Sequence, residues 1–215
     1  MKKVFVFIFT AVILVSFVSS QENDIRQLRW GMSFDEVQKI EELEDVFYKQ
    51  EELLGVSVEV IFGMGSKGLY SVTYSARERE FAEKAGELLK KKYGDAKTDL
   101  DYSYLINSKN ILAQHPDVVI QIYEKNDFSK LDTVKSTDAT INVKKIIKAG
   151  LSKRSMWEHG NTVALLLDSP EGIVLSYYSK PYHYENKKKF NTILADLKKK
   201  AQKEAKKKAA DADKF

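Results

Sequence analysis

Three histidines, at positions 115, 159 and 183, are the only side chains of this 215-residue chain whose ordinary titration falls near neutral pH, and there is no cysteine. Thiolate nucleophiles, disulfides and a lipidated cysteine are therefore excluded. A Ser–His–Asp arrangement stays open, because its members converge in space from any chain order. Neither a G-x-S-x-G elbow nor an S-x-x-K motif occurs, however. Glu158-His159 is the one adjacent acid–imidazole pair. It could make His159 a general base or a pH-sensitive contact; placed just before a hairpin, it reads more simply as an exposed pair. His183, in the run Pro181-Tyr182-His183-Tyr184-Glu185, reads as a surface residue, and Ser152-Lys153-Arg154-Ser155 as a polar basic patch. Asp99, Asp101, Glu158, Asp168 and Glu171 could supply paired carboxylates, but a sequence sets no distance between them. H-x-x-H, H-E-x-x-H and acidic calcium-loop spacings are missing, so no metal and no cofactor is expected. Gly63-Met-Gly-Ser-Lys-Gly68 is glycine-rich, yet it joins two strands; a phosphate cradle needs a helix start after it, so this is a hairpin loop.

The strongest signal outside a core is cationic. Lys187, Lys188 and Lys189, then Lys198, Lys199 and Lys200, then Lys206, Lys207 and Lys208 form three triplets. From Tyr184 to Phe215 eleven lysines face five acids, a net of +6. With two lysines in the first twenty residues and +4 for the whole chain, residues 21–183 carry a net of −4. Lysines bind phosphates as point charges without reading sequence. These nine lysines are the candidate contact for an anionic lipid or polymer, while nucleic acid is not an expected partner.

Such residues need elements to hold them. Ser33 is an N-cap, Glu36 completes a capping box, and Met32 and Val37 are spaced for a hydrophobic staple. Val37, Ile40 and Leu43 then follow at helical spacing, predicting a helix over 34–44 with Trp30 packed beneath its start. A strand at 46–54 is followed by a hairpin of 56–62 and 69–75 around the turn 63–68. Ser75-Ala-Arg-Glu78 reads as a second capping box, opening a helix to Tyr93 with Gly94 after it. Its expected apolar stripe is Phe81, Ala82, Ala85, Leu88, Leu89 and Tyr93. Residues 116–125 read as a strand, 126–140 as loop, and 141–151 as a short helix or a strand. A last hairpin pairs 161–168 with 173–180 around Ser169-Pro-Glu-Gly172. From Tyr184 the chain is helical, with Phe190, Ile193, Leu194, Leu197 and Ala201 on a narrow apolar face that fades afterwards. This order predicts an α+β fold: an antiparallel sheet with helices packed on one face and a basic amphipathic C-terminal helix.

The first twenty residues have a basic start, an apolar run and small residues before Gln21, the pattern of a cleavable secretory signal. The expected organisation is a signal peptide at 1–20, a globular domain at 21–183 with a less regular, insertion-like segment at 99–155, and a lysine-rich helix or tail at 184–215. The expected location is periplasmic or within a cell envelope.

GMSFDEV (31–37), followed by a hairpin ending in GLYSVTY (68–74), is similar to the small envelope domains of the BamE/SmpA kind. Those place a GMT or GMS helix start before antiparallel strands. The longer layout resembles a class of exported bacterial α+β domains of unknown function. In that class a WGMS-x-x-E-V start and a glycine-led G-x-LYS-V-x-Y strand precede a helix ending in YG. Here these correspond to Trp30–Val37, Gly68–Tyr74 and Tyr93-Gly94, with Trp157 and the strand from Thr162 following. The resemblance implies a small scaffold that binds, with no catalytic residue carried over. The expected function is a non-enzymatic envelope adaptor that holds a protein partner through a sheet face or the 99–155 segment. Two alternatives are an inhibitor-like module that blocks an envelope or host enzyme, and a hydrolase with a site near His159.

Overall fold

The structure, a computed structural model, describes residues 24–44, 47–134 and 143–212. The expected signal at 1–20 and residues 135–142 lie outside these. The elements run α1 (Phe34–Glu41), β1 (Tyr48–Leu53), β2 (Val56–Gly65), β3 (Gly68–Ala76), α2 (Arg79–Tyr93), β4 (Lys97–Asp99) and α3 (Tyr102–Asn107). They continue with α4 (Lys109–Gln114), α5 (Pro116–Lys125), a 3-10 turn (Ser129–Thr133), α6 (Val143–Leu151), β5 (Arg154–His159), β6 (Thr162–Ser169), β7 (Gly172–Ser179) and α7 (Lys180–Ala212). The strands form one antiparallel seven-stranded sheet in the order β1-β2-β3-β7-β6-β5-β4, so the protein is α+β as expected.

Alternation along the strands sorts the core. Val58, Val60, Phe62, Val72, Leu175 and Ala164 point to one face, against Val37 of α1 and Phe81, Ala85 and Leu89 of α2. Val163, Leu165 and Tyr178 point to the other, where Tyr182 of α7 joins them. α7 thus lies on the face opposite α1 and α2, so helices cover both faces of the sheet rather than the one face expected. Burial from both sides is why β6 reads as an unbroken apolar run. A separate helical core gathers Leu105, Leu112, Val119, Ile122, Ile147, Phe190 and Leu197.

Four local readings are corrected. Residues 116–125 are helix α5, not a strand. Pro116 sits in the first turn, where its missing N–H costs nothing, and Asn126 closes the helix in the left-handed region at φ 52°. Val118, Val119 and Ile122 are buried at helical, not alternating, spacing. The second capping box does not form: Ser75 pairs with Val174 in the β3–β7 ladder, and α2 starts later with Glu78 as an N-cap that makes no side-chain bond. Leu88 leaves the α2 stripe and is 51% exposed. The turn expected at 63–68 contracts to Ser66-Lys67, because β2 and β3 pair as far as Gly65 and Gly68.

The segment 99–155 is largely helical, built of α3 to α6 around their own core. The boundary expected after His183 falls inside α7. Phe190, Leu194 and Leu197 are buried, whereas every residue from Gln202 to Ala210 is exposed. Burying side chains of that size contributes about 1.5–3 kcal/mol each. The first half of the lysine-rich helix is therefore part of the folded body.

Candidate functional site: a cleft at the start of the first helix

The capping box at Ser33 forms as the sequence requires. Ser33 Oγ accepts from the Glu36 N–H at 3.3 Å, and Glu36 Oε2 accepts from the Ser33 N–H at 2.8 Å. Those hydrogen bonds hold the Glu36 carboxyl below its ordinary value. The strap before it is bolted to the sheet at both ends. The Gly31 N–H donates to the Leu69 carbonyl at 2.8 Å, and the Leu69 N–H donates to the Met32 carbonyl at 2.8 Å. Trp30 donates its backbone N–H to Asp24 Oδ2 at 2.9 Å and its indole N–H to Thr162 Oγ1 at 3.0 Å. Glycine is needed at 68, where φ is +86° and a Cβ would lie 2.3 Å from the Gly31 carbonyl oxygen. The Trp30, Gly31, Leu69 and Thr162 of the motifs quoted above are thus neighbours in space.

This strap, the β2–β3 tip and the start of α7 enclose an open cleft of about 840 Å³. Its apolar lining is Trp30, Met32, Leu69 and the pair Tyr70–Tyr182, stacked with ring centres 4.0 Å apart. A bulge beside Gly63 and Met64 shifts the β2–β3 register where Tyr70 begins. Burial, with Tyr182 adjacent, pushes the Tyr70 hydroxyl up to about 12. Arg29, Lys67 and Lys189 bring positive charge to the lining; Asp24, Glu36 and Glu185 bring negative charge. Lys189 pairs with Glu185 at 2.6 Å. An apolar floor with charges of both signs suits a polypeptide segment better than a uniformly charged ligand.

A second polar cluster is buried. Asp99, at the end of β4, accepts from Tyr102 Oη at 2.6 Å, the Leu100 N–H at 2.9 Å and Lys187 Nζ at 3.1 Å. His183 Nε2 lies 3.3 Å from Asp99 Oδ2, the same oxygen that accepts from Lys187, while Tyr102 and Leu100 donate to Oδ1. Burial opposes ionisation of Asp99, but the hydrogen bonds from His183, Tyr102, Leu100 and Lys187 outweigh it and hold the carboxyl well below the usual carboxylate range. His183 is only 2% exposed, so the surface placement expected for it is corrected. Beside it Asp101 accepts from Tyr178 Oη at 2.9 Å and from the Tyr104 N–H at 3.0 Å. Asp101 also faces Arg154 Nη1 at 3.4 Å. Arg154, expected in an exposed basic patch, is buried, and desolvation pushes its guanidinium down to about 10. The cluster ties α7 and α3 to the sheet. The spacing of His183, Lys187 and Phe190 on one side of a helix was its available sequence signal.

His159 is exposed and stacks on Tyr93, with ring centres 4.9 Å apart. Glu158 turns to Lys180 at 2.8 Å and accepts from Tyr184 Oη at 2.9 Å. The two therefore do not form an acid–base couple. His115 links α4 to α5. The described residues contain no group of three or more His, Cys, Asp or Glu side chains that could hold a metal ion.

The lysine triplets are divided by the fold. Lys187 binds Asp99, Lys198 pairs with Glu124 at 2.7 Å, and Lys200 donates to the Ala113 carbonyl at 3.0 Å. Lys188, Lys199, Lys206, Lys207 and Lys208 are exposed, Lys199 standing 3.9 Å from Asp196. No family model, curated protein or solved structure matches this chain. Among the described residues no helix is long and apolar enough to cross a membrane.

Proposed function

We propose that this chain is an exported cell-envelope protein acting as a non-enzymatic binding or adaptor domain. Its cleft beside Trp30 holds a segment of a protein partner, and the lysine-rich end of α7 contacts an anionic surface or the same partner. The observation that carries this reading is the cleft itself, built from three segments distant in sequence and fixed by backbone pairing at Gly31, Met32 and Leu69. It replaces the 99–155 segment as the preferred partner site, because the apolar side chains of α3 to α6 are turned into their own core. The export part rests on the apolar, basic-led sequence of residues 1–20.

Cross-linked co-purification from whole envelope tests the reading. Wild-type protein is compared with a Lys67→Glu, Tyr182→Ala double variant, whose changes lie in the cleft lining. A discrete protein recovered with the wild type at high salt and lost with the variant is the expected result; equal recovery with both would remove the cleft from the account. The mature N-terminus, read by mass in the same preparation, should begin at or near Gln21. The hydrolase alternative would need a carboxylate at His159, and the ring is instead seated on Tyr93.

A further inference from the structure

We infer that the outward lysine stripe of α7, formed by Lys188, Lys199, Lys203 and Lys206, lies flat on an anionic lipid bilayer and is held there by charge without insertion. This rests on the reading of α7 as a contact to an anionic surface, and it adds the mode and the residues. Phe190 and Leu197 fix which side of the helix faces the body. At 3.6 residues per turn, positions 188, 199, 203 and 206 fall on the opposite side, and all four are exposed. A straight helix places Lys188 and Lys206 roughly 27 Å apart along its axis. They form a rigid row that matches a plane of head-group charge.

An amphipathic helix enters a bilayer through its apolar face. Here Phe190, Leu194 and Leu197 are buried within the protein. The exposed stretch Gln202–Ala210 offers no apolar side chain larger than alanine. Tyr184, the exposed aromatic of the first turns, is bonded to Glu158, and between Lys188 and Lys206 nothing on the outward side of α7 can enter hydrocarbon, so attraction to surface charge is the force left. Lys187, Lys198 and Lys200 are turned toward Asp99, Glu124 and the Ala113 carbonyl, and they do not contribute. Glu185 and Asp196 are the acids of α7 that share the stripe's side, whereas the exposed Glu204 falls on the side of Phe190 and Leu197. Glu185 is paired to Lys189 at 2.6 Å, and Asp196 lies 3.9 Å from Lys199. The net −4 of residues 21–183 repels the same surface, so the body is held away and only α7 meets it.

The test is flotation of the full chain from Gln21 with vesicles of phosphatidylglycerol and phosphatidylcholine, and with phosphatidylcholine alone. The stripe variant K188Q/K199Q/K203Q/K206Q is compared with a charge-matched control, K91Q/K109Q/K125Q/K153Q, on exposed lysines elsewhere. Wild type and control are expected to bind only the anionic vesicles at ~20 mM salt and to be released at ~0.5 M. The stripe variant is expected to bind at least about tenfold more weakly, with an unchanged melting temperature. Trp fluorescence should be insensitive to acyl-chain quenchers. No binding to anionic vesicles at low salt overturns the inference, as does equal weakening of stripe and control variants or binding that survives high salt. Equal affinity for soluble polyphosphate in a parallel titration also overturns the lipid assignment. Partner capture through the cleft that persists while vesicle binding is absent separates failure of this inference from failure of the adaptor reading.

Discussion

Gly68 and Asp99 show how single residues hold this fold in place. At Gly68 both the positive φ and the backbone of Gly31 and Met32 exclude a side chain. Gly68→Ala should destabilise the protein by about 2 kcal/mol or more, read as a lower denaturant midpoint with an unchanged slope. Asp99 acts through charge. Its folded carboxyl lies below the ordinary value of 3.8. The stability it contributes is therefore complete above that pH and is lost as pH falls through 3.8 toward the folded value. Asp99→Asn should cost about 1–3 kcal/mol at neutral pH by leaving buried donors poorly matched. It should also flatten the acid limb of the stability curve, which urea titrations between about pH 2 and 6 would read. Trp30→Phe removes the donor to Thr162 and should cost about 1 kcal/mol, with weaker partner capture as the strap loosens.

At the scale of elements, α7 joins two roles within one helix. Phe190→Ala should cost about 3–5 kcal/mol, because its ring lies in the helical core between Tyr102 and Tyr123. A chain ending at His183 should fail to fold, since it lacks Phe190 and Leu197. A chain ending at Ala201 should keep its melting temperature within the effect of a surface change, about 0.5 kcal/mol; circular dichroism melts of the two truncations check both. The sequence made several elements legible because their signals are local: the capping box at Ser33, the alternation of Val56, Val58 and Val60, and the last hairpin. Helix α5 was not legible as one. Its β-branched run of Val118, Val119 and Ile120 favours a strand locally, and burial against α6 and α7 decides otherwise. Ser75 likewise has cap chemistry, but strand pairing with Val174 takes it.

For the whole molecule, the site is where the sequence was least informative. Trp30, Gly31 and Met32 could be read as a structured helix entry, yet their cleft partners lie near residue 67 and near residue 182. No periodicity connects segments so far apart. The lysine triplets were legible as charge but not as geometry, because the fold ties Lys187, Lys198 and Lys200 to Asp99, Glu124 and the Ala113 carbonyl, sets Lys189 at the cleft, and leaves Lys188, Lys199, Lys206, Lys207 and Lys208 exposed. The result is a body with a fixed cleft beside the β2–β3 tip and a lysine-bearing helix that begins at that cleft and runs beyond the core.

Site-specific photo-cross-linking in intact cells shows whether the cleft holds a partner. A photoreactive side chain replaces Lys67 in the cleft in one strain and the exposed Glu83 of α2 in another. Binding through the cleft predicts one discrete protein adduct from position 67 and none from position 83. Identical adducts from both positions, or none from position 67, would contradict it.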